Sequence, residues 1–333
     1  MTITEAPEET QAAPAEQGPR RSRVPRSLLA IPAWVWFVIF FALPVAWILY
    51  YSFGRQIDFF TQIPDVSKPN FDKYTKAFNP AYFPTFKRTL KIAIIGTFLC
   101  LVVALPFAYW LAVKVPAKWR GLMLGVVLVP FWTNFLVRTI GWQLILSPEG
   151  FVSSTLQKVG LLGEPLGLIC TQRGVQIGVV YNYLPLMILP LFVAFDRTDS
   201  ALREASKDLG ASRWRTFTQV TMPIATPGVI AGMLLVFIPL MGDYITAILL
   251  GCAKGSMAGQ LVASQFDSSL DWSLGSAMAV LLIIFILVTV AVFAVIGLIL
   301  RTIVRSRRKI TLVTPSTDGR ADGDASDRPS GGG

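Results

Sequence analysis

The chain has 333 residues, of which 53% are hydrophobic and only 15% charged, where a soluble domain of this length carries about a quarter charged residues. Mean hydropathy is +0.56, and the net charge of +10 reflects basic residues gathered beside apolar runs, which points to membrane orientation and away from nucleic acid. Histidine is absent, which removes the commonest general base and metal ligand and argues against a membrane enzyme.

Residues 1–27 open with a Glu-, Pro- and Ala-rich stretch without apolar period and are expected to be a disordered tail. Arg20, Arg21, Arg23 and Arg26 then lead into the first apolar run, 28–53. Its core is too long for a signal peptide and lacks a small-residue cleavage site, so it reads as a retained helix. Residues 54–87 form an outer loop. Span two lies between Lys91 and Lys114. Span three lies between Arg120 and Arg138, with apolar character continuing through Ile145, so a bend near Arg138 and a second short helix are expected. Span four lies between Arg173 and Asp196. Span five runs from Pro227 to about Leu250, interrupted by Asp243, and span six from Ser273 to Leu300. Each approaches the roughly 20 residues a helix needs to cross hydrocarbon, and only helices satisfy their own backbone there. The expectation is an all-α polytopic membrane protein with six transmembrane helices. Residues 303–333 read as a second disordered tail.

Basic residues set the orientation. With the N-terminus inside, the inner segments hold the four N-terminal arginines, Lys114, Lys118, Arg120, Arg197, Arg203, Lys207, Arg213, Arg215 and the cluster Arg301–Lys309. The bias places both termini in the cytoplasm of a bacterial cell, in a multi-pass inner-membrane protein. The first outer loop is an exception, with Arg55, Lys68, Lys73, Lys76, Lys87, Arg88 and Lys91. Cys100 reads as a small packing residue inside span two. Cys170 and Cys252 could both face outward, where a disulfide could form. Prolines 32, 44, 106, 130, 185, 190 and 239 fall within spans; they read as hinges, or simply as the prolines that membrane bundles tolerate.

The segment 196–226, DRTDSALREASKDLGASRWRTFTQVTMPIAT, is too polar for lipid and too patterned for a linker. Ala201–Leu209 suits a helix, Gly210 a left-handed stop, and Ser212 the cap of a second helix that runs towards Pro223. Glu204, Ala205, Ser206, then Gly210, Val220, Met222 and Pro223 keep the spacing of the EAA motif of type I ABC importer permeases. Ser replaces Ala, Val replaces Ile and Met replaces Leu. The flanks YNYLPLMILPLFVAF (181–195) and PGVIAGMLLVFIPLMGDYITAILLG (227–251) also resemble that family. VPFWTNFLVRTIGWQLILSPEG (129–150) resembles its spermidine/putrescine branch. The resemblance covers about 88–302, the transmembrane core.

The resemblance implies the type I ABC importer permease fold and a loop, 196–226, that docks on a cytoplasmic ATPase. Glu204 would contact the ATPase, and Gly210 would permit the turn and a close approach. On the residues alone, Gly210 is also readable as a helix stop and Glu204 as a solvated face. The chain has no GxxxxGK[ST] loop, so it is expected to hold no cofactor and to be non-catalytic; ATP and magnesium would be bound by the partner. The expected partners are an ATPase dimer, a second homologous permease forming a heterodimer, an extracytoplasmic binding protein and the lipid membrane, with no nucleic acid. The expected cargo is a polyamine. An opine, thiamine, phosphonate or ferric ion is the alternative within the class. A self-sufficient secondary transporter lacks the inverted repeat it would need.

A polycation needs carboxylates and aromatic faces. Asp243 with Trp132, Asn134, Tyr181 and Tyr183, all near one depth, is the candidate pathway. The competing reading pairs Asp243 with Arg138 as structural glue and assigns the aromatics to interfacial belts.

Overall fold

The computed structural model describes residues 26–55, 64–67, 69–160, 163–165 and 167–307. The tails at 1–27 and 303–333 lie outside the described residues, apart from Arg26, Ser27 and 303–307, which are helical. Among the described residues the chain is helical without a strand ladder.

The helices run in chain order as α1 (Arg26–Phe37), α2 (Leu43–Tyr51), α3 (Asp72–Ala77), α4 (Phe83–Val113), α5 (Ala117–Trp132), α6 (Phe135–Leu146), α7 (Phe151–Lys158), α8 (Gln172–Asp196), α9 (Ser200–Asp208), α10 (Arg213–Thr216), α11 (Met222–Met241), α12 (Ala258–Asp267) and α13 (Trp272–Arg307). Five stretches are long and apolar enough to cross a membrane: Ile31–Tyr51, Phe83–Val113, Gln172–Asp196, Arg213–Met241 and Trp272–Val295. The sixth expected span is the pair Ala117–Trp132 and Phe135–Lys158, bent by 84°.

The boundaries differ from the sequence reading in four places. The bend in span three falls at Thr133–Asn134, ahead of Arg138. Span five starts earlier than Pro227, because the second helix of the 196–226 loop is continuous with it from Arg213. The same span stops at Met241, where a run to Leu250 was expected. Span six continues to Arg307, past Leu300.

Proline explains much of the local geometry. It cannot donate a backbone hydrogen bond, and its ring crowds the carbonyl four residues back. Two π turns, Val38–Ala42 and Phe217–Thr221, each stop two residues short of a proline, Pro44 and Pro223. In both, the residue before proline reaches back five positions: Leu43 N–H donates to the Val38 carbonyl, and Met222 N–H to the Phe217 carbonyl. The widened turn lets the helix pass the ring without stopping.

The two broken spans share another pattern. Pro130 precedes Asn134, and Pro239 precedes Asp243, at the same spacing. In each case the helix ends two residues after the proline, and the Asn or Asp caps the piece that follows. Asn134 Oδ1 accepts from Leu136 N–H at 2.8 Å, and Asp243 Oδ1 accepts from Thr246 N–H at 3.0 Å. A side-chain acceptor at the restart satisfies one of the donors that a new helix leaves unpaired.

The chain divides into two compact units. The first takes its described residues from 1–96, 130–182 and 242–281. Lys73 Nζ pairs with Asp271 at 2.6 Å, Arg88 donates to Ser256 Oγ at 2.9 Å, and Ala258 N–H donates to Thr89 Oγ1 at 2.7 Å. Cys170 and Cys252 are joined by a disulfide, with Cα atoms 4.8 Å apart. The first span is unburied along its apolar window, with Trp34, Trp36, Phe37 and Phe40 exposed. In an aqueous protein such a face would be a liability, whereas in a bilayer hydrocarbon solvates it.

The second unit takes its described residues from 97–129, 183–241 and 282–307. Here α8 and α11 pack closely through small residues. A Cβ on Gly228 would clash with Ala194 and stand 2.8 Å from the Pro190 carbonyl, and one on Gly232 would come within 2.9 Å of Met187 Sδ. Small residues four apart let two membrane helices approach backbone to backbone.

Candidate functional site

The segment 196–226 folds as a helical hairpin in the second unit. Asp196 closes α8, and its carboxylate accepts from Arg120 Nη1 of α5 at 2.6 Å. Asp199 caps α9, its Oδ1 accepting from Ala201 N–H at 2.9 Å. The helix ends on Gly210 at φ +81°. Gly210 N–H donates to the Lys207 carbonyl at 2.8 Å, and Ala211 N–H to the Ser206 carbonyl at 3.1 Å. This pair of bonds is the Schellman closure, which needs a left-handed residue at the position Gly210 fills. No heavy atom lies within 4 Å of a Cβ built on Gly210. The requirement for glycine is therefore conformational.

Ser212 restarts the chain, its Oγ accepting from Arg215 N–H at 3.3 Å. The two arms are tied by Ser206 Oγ and Thr216 Oγ1 at 3.1 Å. Phe217 packs edge-on against Tyr109 of α4 at 5.1 Å, and Tyr109 against Phe195 of α8 at 5.6 Å. The hairpin therefore stands on an aromatic base, and its second arm continues without a break as the apolar helical stretch Arg213–Met241.

What the hairpin leaves exposed is informative. Glu204 and Ala205 are exposed, and Ser206 is half-buried by its tie to Thr216. Pro223 is exposed beside the π turn it imposes. Leu209 is 89% exposed and Trp214 74% exposed. Two large apolar side chains beside a polar, well-capped turn are thus left exposed, the kind of feature that marks interaction sites. The resemblance to the EAA motif had drawn attention to Glu204 and Gly210. The apolar pair was missed, although its position beside the glycine is visible in the sequence.

The candidate pathway residues are placed less uniformly. Asp243 is 6% exposed and caps the broken span. Asn134 caps α6. Tyr181 packs against Trp142 at 5.2 Å in an edge-on contact, and Tyr183 is buried. Trp132 is 83% exposed, so it does not share an enclosed pocket with Asp243. Arg138 lies over the rings of Phe131 and Phe135, 5.6 Å from each centroid. Asn182, which the sequence places near the same depth, is buried and donates to Thr139 Oγ1 at 3.1 Å.

Comparison with known proteins adds four findings. The family model "Binding-protein-dependent transport system inner membrane component" matches residues 104–309. The spermidine/putrescine transport system permease protein PotB of Escherichia coli (strain K12) is 39% identical over 233 residues, covering 69% of this chain and 82% of that protein. Its Haemophilus influenzae counterpart is 38% identical over 232 residues, covering 69% and 79%. In fold, the chain is similar to a bacterial ABC transporter involved in the import of the acidic polysaccharide alginate. The TM-score is 0.64 at 16% identity, over 80% of this chain and 92% of that one.

Proposed function

We propose a function from the premise that this chain belongs to the family of binding-protein-dependent transport system inner membrane components, the permeases of type I ABC importers. It is a multi-pass membrane subunit, non-catalytic by itself. In our reading the hairpin 196–226 is the element through which a cytoplasmic ATPase drives the permease, and the cargo is a polyamine.

The observation that carries the coupling reading is the exposed tip on a rigid base. Glu204, Ala205 and Ser206 lie on α9, Gly210 makes the turn, and Pro223 heads the helix that continues into the membrane. A force applied at Leu209 and Trp214 would be transmitted along the continuous stretch Arg213–Met241. Burying Leu209 in a partner's cleft would contribute roughly 1.5–3 kcal/mol. ATP and magnesium belong to that partner in this reading. A second permease, distinct in sequence, and an extracytoplasmic binding protein complete the importer.

The orientation has its own support. Helix α8 has 25 residues, so it spans about 37 Å, more than the ~30 Å hydrocarbon core. One end follows directly on the Cys170–Cys252 disulfide and the other leads into the hairpin. Disulfides persist on the oxidising side of a bacterial membrane. The hairpin then faces the cytoplasm, as the basic residues also indicate, and both termini lie inside.

The polyamine assignment rests on the identity with PotB proteins. Uptake of labelled putrescine and spermidine by cells expressing the whole transport system tests it. Competition by excess polyamine is expected, and competition by thiamine or ferric ion instead would replace the substrate. The coupling reading is tested by Leu209→Asp. It should reduce ATPase co-purification by tenfold or more, consistent with losing about 1.4 kcal/mol of buried contact. Undiminished co-purification would remove the hairpin tip from the interface.

A further inference from the structure

Beside the hairpin, a cleft of about 550 Å³ opens between α4, α9 and α10, with neither Leu209 nor Glu204 in its lining. Its lining carries four cations, Lys114, Arg203, Lys207 and Arg213, and no acidic residue among the described residues. Arg203 is held in place by a bond to the Thr198 carbonyl at 3.0 Å. The nearby carboxylate of Asp196 is engaged by Arg120. The positive field at the rim is therefore not neutralised from within the cleft.

The cleft has a second character deeper along α4. Lys114 stands at the end of that helix, while Leu105, Pro106 and Val113 line the wall towards its middle. From Lys114 back to Leu105 is nine residues, a rise of about 13 Å. Tyr109, Phe217 and Trp214 form the remaining wall, with Trp214 and Phe217 rings 5.8 Å apart. A free inorganic anion has no use for a long apolar wall. A molecule with a phosphate at one end and a hydrocarbon chain at the other matches both parts. Basic pockets at the cytoplasmic ends of membrane helices are suited to acidic lipid headgroups.

We propose that this cleft binds an anionic phospholipid, its phosphate on Lys114, Lys207 and Arg213 and its acyl chain along the Leu105–Val113 face of α4. The site rests on the cytoplasmic placement of the hairpin argued above. Because one wall is the hairpin itself, the bound lipid braces α9 and α10 against α4. Coupling would then depend on the acidic lipid content of the inner leaflet.

The test uses the full chain in nanodiscs that contain equal amounts of phosphatidylglycerol and phosphatidylcholine. Retained lipid is counted by native mass spectrometry after release. Each cation beside an acidic headgroup contributes about a fivefold preference. Wild type should retain phosphatidylglycerol selectively, and Lys114→Gln with Arg213→Gln should lose about twenty-fivefold of that selectivity. The charge-keeping pair Lys114→Arg with Arg213→Lys should retain it, which separates loss of charge from loss of fold. Equal retention of both lipids by wild type would overturn the proposal. So would displacement of the lipid by millimolar inorganic phosphate, which would make the cleft a site for a soluble anion. The measurement needs no ATPase, so its failure leaves the coupling reading standing, and a failure of ATPase docking leaves the lipid result unchanged.

Discussion

At the scale of single residues, Asp243 shows how one side chain can be read in two ways. The sequence presents it as a carboxylate inside an apolar span, which is the signature of a transport pathway. The structure adds a local duty, the cap at the restart of a broken helix. The two roles separate by substitution. Asparagine caps as well as aspartate, while alanine loses about 1 kcal/mol. Asp243→Asn is expected to keep membrane insertion and thermal stability while lowering polyamine uptake. Normal uptake in that variant, with a lowered melting temperature only in Asp243→Ala, would restrict the residue to capping. Gly210 is a simpler case. At φ +81° with open space around it, alanine should cost about 1–2 kcal/mol through the backbone alone. Asparagine, which tolerates that conformation, should cost less. Equal stability of wild type and Gly210→Ala, measured by thermal unfolding in detergent, would contradict the Schellman account.

At the scale of elements, the sequence made the hairpin legible because its signals are local. Gly210, Ser212 and Pro223 each act within a few residues, and their effects on the chain follow from backbone chemistry. The spans were legible for the same reason, since an uncharged stretch of the right length has one stable form in lipid. The breaks were harder to see. Asn134 and Asp243 both follow a proline at the same spacing, yet a polar residue in an apolar run looks like a functional group before it looks like a cap. The basic cleft was not legible at all, because Lys114 and Arg213 meet only through folding, 99 positions apart in the chain. The Cys170–Cys252 pairing is another long-range contact, across 82 positions, that composition left open. It yields an element-scale prediction. A membrane-impermeant maleimide applied to the outside of intact spheroplasts should label these cysteines only after reduction, since Cys100 is buried. Labelling that requires access from the cytoplasm would invert the orientation. Replacing both with serine should cost about 2–4 kcal/mol.

At the scale of the whole molecule, the chain is a permease that lacks a means to hydrolyse nucleotide and carries an exposed cytoplasmic hairpin in our reading. Its first span is unburied in the isolated chain, and its hairpin tip is apolar and bare. An unburied apolar span is suited to lipid, and in our reading the bare tip is suited to a partner protein. The central claim is that work enters through 196–226. It is tested most directly by reconstituting the purified chain in liposomes, alone and together with its ATPase, second permease and binding protein, and following spermidine accumulation. The account predicts accumulation only in the complete set, strictly dependent on ATP and abolished by Gly210→Asp despite continued membrane insertion. Accumulation by the chain alone, or undiminished ATP-driven uptake by the Gly210→Asp assembly, would contradict it.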